Sequence, residues 1–154
     1  MRLNERELER WGERIGNTIG IPAVIALEGR LGAGKSVLAR AIGRGAGVGV
    51  AMPSPSYNLL LRYRTPSGRE VVHVDLYRLR SSDELWELGW SELGEGSEVL
   101  MVEWADRASP FMPPDYWIIG LSAPDDDHSV RDVELRCIGR PPELPPFLTS
   151  VSIE

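Results

Sequence analysis

The stretch Ala23-Val24-Ile25-Ala26-Leu27-Glu28-Gly29-Arg30-Leu31-Gly32-Ala33-Gly34-Lys35-Ser36 constrains this chain more than any other. Its first half is an apolar run rich in β-branched residues, which reads as a buried strand. It leads into Gly29-x-x-x-x-Gly34-Lys35-Ser36, a phosphate-loop pattern without a mismatch. Val37-Leu38-Ala39-Arg40-Ala41-Ile42 then reads as the start of a helix. Strand, glycine loop and helix in that order are the context the motif requires.

The residue types follow from the chemistry. Successive backbone N–H groups must face phosphate oxygens, and glycines let the loop adopt the conformations this needs. The helix that follows offers unpaired N–H groups and the positive end of its dipole. Lys35 adds a point charge for the β- and γ-phosphates, and Ser36 adds a hydroxyl for magnesium. The motif says that a nucleotide binds, not what it is used for.

Glu103 is the second chemical signal. Val99-Leu100-Met101-Val102 precede it, so its carboxylate emerges at the C-terminal end of a buried strand. Ligands of open α/β sheets bind at that end. In phosphate-loop NTPases an acid there holds magnesium directly or through water. Asp75 also ends an apolar strand, beside Tyr77; a turn cap and a chemical role are both open.

With 154 residues the chain suits one domain, expected over 1–138, with a proline-rich tail over 139–154. The net charge of −6 argues against broad nucleic-acid binding, which needs a basic footprint. Arg62, Arg64, Arg69, Arg78 and Arg80 gather locally; the interspersed acids favour a solvated face over a local phosphate or acidic-partner contact, and both are open. No apolar run is long enough to span a bilayer, and the N-terminus is charged. Cytoplasmic residence without a membrane partner is the expectation. The one cysteine, Cys137, reads as a small core residue, and the histidines carry no zinc-site spacing.

In chain order, Asn4 and Glu7 start a helix whose apolar stripe is Leu8, Trp11, Ile15 and Ile19, stopped by Gly20 and Pro22. The helix after the phosphate loop is expected to end at about Gly43–Gly45, with a short strand at Val50–Met52. Pro53 to Leu59 reads as a loop placed where nucleotide hydrolases keep a γ-phosphate sensor, and an ordinary proline-stiffened turn is equally open. Thr65-Pro66-Ser67-Gly68 suggests a hairpin of Leu59–Arg64 against Glu70–Tyr77. Ser81 to Glu84 fits a capping box, opening a helix Asp83–Leu88 from which Leu85, Trp86 and Leu88 pack on the sheet. Tyr116–Leu121 and Val130–Ile138 are two further strands. Asp125-Asp126-Asp127 between them matches no calcium-loop spacing and reads as a solvated turn.

Taken together, the phosphate loop, Ser54-Pro55-Ser56-Tyr57-Asn58-Leu59, His73-Val74-Asp75-Leu76-Tyr77-Arg78-Leu79, Glu84-Leu85 with Gly89, and Glu103-Trp104 resemble the TsaE (formerly YjeE) family. The likeness runs from the first helix to about Arg136. It implies an α/β phosphate-loop NTPase fold, one domain with a mixed sheet flanked by helices. It implies ATP and Mg²⁺ as ligands, TsaD and TsaB as protein partners, and support of threonylcarbamoyladenosine (t6A) formation in tRNA, with tRNA met only through the complex. By motif, the loop Gly29, Arg30, Leu31, Gly32, Ala33 and Gly34 with Lys35 holds the phosphates. Ser36 and Glu103 hold magnesium, and Ser56 faces the γ-phosphate. Asp75 is an essential acid, Trp104 lies beside the nucleotide, and Arg131 matches an arginine near the base. Catalysis would rest on Lys35, Asp75 and Glu103. The family usually has Asp where this chain has Arg30, and Thr where it has Ser36 and Ser56. A small-molecule kinase and a non-catalytic, nucleotide-dependent binding module stand as the alternatives.

Overall fold

The sheet is built around β2 (Ala23–Glu28) and β5 (Glu98–Glu103), whose near-continuous apolar runs suit strands buried on both faces. They pair in parallel, Ala23 with Val99 through Leu27 with Glu103. β4 (Glu70–Asp75) joins β5 in parallel, and β6 (Tyr116–Ser122) joins β2 in parallel. Antiparallel strands complete both sides: β3 (Leu60–Arg64) on β4, and β7 (Val130–Ile138) on β6. A three-residue strand, β1 (Arg2–Asn4), pairs with β7, giving the order β1-β7-β6-β2-β5-β4-β3. This computed structural model describes residues 1–55 and 59–147.

One face of the sheet is covered by α1 (Glu5–Thr18) and α2 (Lys35–Ala46). The capping box forms as expected: Glu7 N–H donates to Asn4 Oδ1 and Asn4 N–H to Glu7 Oε2, each at 2.8 Å. Leu8, Trp11, Ile15 and Ile19 are buried against Leu38, Ile42 and the sheet. The two helices approach closely because Gly16 lies on the backbone of Ile42 and Gly45 on the backbone of Glu13. The glycines of α2 therefore serve packing, and the helix continues past them to Ala46. Gly47, at φ 107°, then ends it with N–H bonds back to Arg44 and Gly43.

The opposite face buries Val24, Val72, Val74, Leu76, Leu85, Trp90 and Leu100 under α3 (Ser82–Glu87) and the turns that follow. Val72 and Val74 point here while Val71 points to the helical face, the alternation expected of β4.

Several expectations are corrected. Val50–Met52 forms no strand: Met52 packs on Gly43, and its carbonyl accepts from Arg40 Nε at 3.0 Å. β4 stops at Asp75 because its Oδ1 takes Tyr77 N–H at 3.0 Å and turns the chain. The Ser81 hydroxyl makes no cap bond; Glu84 accepts instead from Arg80 N–H. Leu85 is fully buried, but Trp86 is 45% exposed, its ring edge-on to Phe111. Cys137 is exposed, because residues 136–138 run past the covered part of the sheet.

Beyond β7, the chain lies across the α1 side. Trp117 Nε1 donates to Pro142 O, and Trp11 Nε1 to Pro145 O. Arg14 donates to Pro146 O, and the Phe147 ring packs 4.4 Å from that of Trp11.

Candidate nucleotide site

β2, β5 and β4 all end at one edge of the sheet. The loop 29–34 leaves β2 there and delivers Lys35 as the first residue of α2. Gly34 sits at φ 105°, a conformation that costs a side-chain-bearing residue about 1–2 kcal/mol. Ala33 N–H closes a turn on Arg30 O at 3.0 Å. The loop is followed directly by the unpaired N–H groups of the helix, the arrangement that binds anions.

A cavity of about 490 Å³ opens over this edge. Leu31, Gly32, Gly34, Lys35 and Ser36 of the loop line it, together with Asp75, Glu103, Trp104 and Arg131. Gly29, Arg30 and Ala33 belong to the same turn but do not face the cavity, and Arg30 is exposed. Ser56 lies outside the described residues. Ser54, Glu5, Leu8, Val37, His128 and Ser129 complete the wall. Of these, only Ser54 carried a sequence signal, through the motif that contains it.

Asp75 and Glu103 stand opposite each other in the β4–β5 register, both at the carboxyl end of the sheet. They are 8% and 4% exposed, unusual for acids without a task or a partner. The Asp75 Oδ1 bond to Tyr77 N–H fulfils the turn-cap reading and leaves the other oxygen for the cavity. Glu103 Oε2 lies 2.8 Å from His73 Nε2. Trp104 follows at φ 59°, a left-handed turn rare for an aromatic residue, and its ring is 4.6 Å from Lys35 Nζ. Tyr77 packs on the same indole at 5.0 Å.

The donor set suits magnesium. Among the described residues, no three His, Cys, Asp or Glu form a metal-holding group. The cavity gathers a hydroxyl, Ser36, and two carboxylates, Asp75 and Glu103. Magnesium is characteristically held this way, by one or two carboxylates with the rest of its shell from phosphates and water.

A family model for the threonylcarbamoyl adenosine biosynthesis protein TsaE matches residues 3–133. The chain belongs to the TsaE family. It is 32% identical over 131 residues to the tRNA threonylcarbamoyladenosine biosynthesis protein TsaE of Rickettsia bellii, covering 84% of this chain and 90% of that one. It is 31% identical over 109 residues to the protein of the same name from Treponema pallidum, covering 70% and 78%. The crystal structure of YdiB from Bacillus subtilis superposes with a TM-score of 0.67 at 24% identity, covering 90% of this chain and 84% of YdiB. That likeness concerns the fold alone, an α/β domain with a mixed sheet. The TsaE family is one of t6A biosynthesis in tRNA. Among the described residues no helix is long and apolar enough to cross a membrane.

Proposed function

We propose that this TsaE-family chain binds ATP with Mg²⁺ in the cavity above the phosphate loop. It hydrolyses ATP slowly on its own, and in the cytoplasm it supports a TsaD–TsaB assembly that makes t6A, meeting tRNA only through that assembly. The observation that carries the reading is the convergence of Lys35, Ser36, Asp75 and Glu103 on one cavity. A phosphate loop alone would bind nucleotide; two buried acids at adjacent strand ends add what hydrolysis needs.

In this reading the loop amides and Lys35 hold the β- and γ-phosphates and stabilise charge that develops on them. Ser36 and Glu103 hold magnesium, which when bound neutralises phosphate charge. Asp75, tethered through one oxygen, accepts a hydrogen bond from the attacking water with the other and aligns it for in-line displacement. Trp104 and Tyr77 shield Lys35 from solvent on the open side. The acidic net charge suits a protein-binding role better than direct contact with tRNA.

The test is ATP hydrolysis by the purified chain, alone and with TsaD and TsaB, with Asp75→Ala as control. Turnover that rises with the partners and is lost in the control supports the reading. ATP bound without any turnover in either setting would overturn it.

A further inference from the structure

Arg131 reaches from β7 to the phosphate loop, and its guanidinium is almost fully committed on the way. Nε donates to Ala33 O at 3.1 Å and Nη2 to Gly32 O at 3.3 Å. Nη1 donates to His128 O at 2.7 Å and to Val130 O at 2.8 Å. An arginine has five N–H donors, so one is left. Two of the four bonds hold successive carbonyls of the phosphate loop, and two hold the turn at His128 and the first residue of β7.

A peptide unit is planar, with its C=O and the following N–H on opposite sides. Holding Gly32 O and Ala33 O toward Arg131 therefore orients the next two amides away from it. Ala33 N–H goes to Arg30 O and closes the turn. Gly34 N–H is directed away from Arg131, at the start of the helix where an anion would sit. Gly32 and Gly34 are the residues best able to rotate otherwise, at φ 81° and 105°.

We propose that Arg131 is a positioning residue, a clamp that presets the phosphate loop for its ligand by fixing two peptide planes. This inference rests on the nucleotide-binding reading above. It differs from a direct contact with base or γ-phosphate, because the clamp acts through loop amides that every bound nucleotide uses. ATP and ADP must then depend on it alike. Presetting a loop lowers the ordering cost of binding, so its loss appears in affinity first.

The test compares the full chain with Arg131→Ala and Arg131→Lys. Affinities for ATP and ADP are measured with Mg²⁺, and amide hydrogen exchange is followed without nucleotide. Arg131→Ala should weaken both nucleotides by the same factor, about tenfold or more, the scale of losing charge-assisted hydrogen bonds. It should raise KM more than it lowers kcat. The amides of 30–36 should exchange faster while those of β2 and β5 keep their protection, which separates loop loosening from misfolding. Arg131→Lys, one cation without the planar fork, should recover part of the affinity. Unchanged affinities, a much larger loss for ATP than for ADP, or unchanged loop exchange would each overturn the clamp. A wild-type chain that binds neither nucleotide would overturn the nucleotide reading itself, and the clamp's role with it.

Discussion

His73 Nε2 and Glu103 Oε2 lie 2.8 Å apart, bridging β4 and β5 beneath the cavity floor, and both side chains are almost fully buried. The bond orients a carboxylate that would otherwise be an unpartnered buried acid. His73 Nδ1 has no partner among the described residues, so the ring's only hydrogen bond is the one it makes to Glu103. His73→Ala should cost about 1–3 kcal/mol of stability, the desolvation penalty of an unsatisfied buried group. Urea unfolding midpoints would read it, and a midpoint equal to wild type would show that Glu103 needs no such support.

Glu103→Gln keeps the size of the side chain and removes its charge. Turnover should fall by about 10²-fold or more, the scale of losing a charged catalytic contact, while the Kd for ATP stays within about threefold. Steady-state hydrolysis beside equilibrium titration separates the two. Wild-type turnover would remove Glu103 from the metal shell.

The Trp104 ring lies 4.6 Å from Lys35 Nζ, so on the proposed reading this indole should report phosphate binding. Nucleotide should change the tryptophan emission of the wild type. In Trp104→Phe that change should vanish while binding weakens by only about 0.5–1 kcal/mol, the worth of a modest cation–π contact. Lys35→Ala, which removes the cation itself, should cost about 1.5–3 kcal/mol of binding.

Gly16→Ala would drive a methyl group into the backbone of Ile42. The α1–α2 pair must then separate, at a cost of about 1–3 kcal/mol. For a domain of this size that is a fall in Tm of about 2–4 °C per kcal/mol. Thermal unfolding without nucleotide tests it, and an unchanged Tm would mean that the helices have slack.

Arg2 donates to Asp126 and Asp132, and this hydrogen bonding holds the Asp126 carboxyl below its usual range. A folded value below the unfolded one stabilises the fold above the ordinary carboxylate pKa, and that gain is lost as pH falls through the lowered value. Both groups are exposed, so the effect is small. Plots of Tm against pH for wild type and Asp126→Asn should coincide in strong acid and separate above about pH 4. Curves parallel throughout would show that the pair contributes nothing.

What the chain declared locally, it declared well. The phosphate loop, the capping box at Asn4, the 65–68 hairpin and the acid ending β5 are each written within a dozen residues, and each formed. Family likeness puts Arg131 near a base; its two bonds to Gly32 O and Ala33 O join segments about a hundred residues apart, which no local pattern shows. The cavity wall from Glu5, Leu8, His128 and Ser129 could not be read either, because β1 is too short to show periodicity. Trp86 and Cys137 mark a second limit. Alternation tells which face a residue points to, but whether anything covers that face is a tertiary fact.

The position of β2 in the sheet has a consequence for synthesis. β2 leaves the ribosome early, yet its two neighbours, β5 and β6, begin only at Glu98 and Tyr116. Until then a buried strand and a glycine loop have nothing to pair with, and long-range parallel pairing forms slowly. The loop after β2 cannot be held in its sheet until β5 and β6 have both been made. A product ending before Glu98 would leave β2 with neither sheet neighbour, and one ending before Tyr116 would leave one of its edges open, each an exposed apolar template for aggregation.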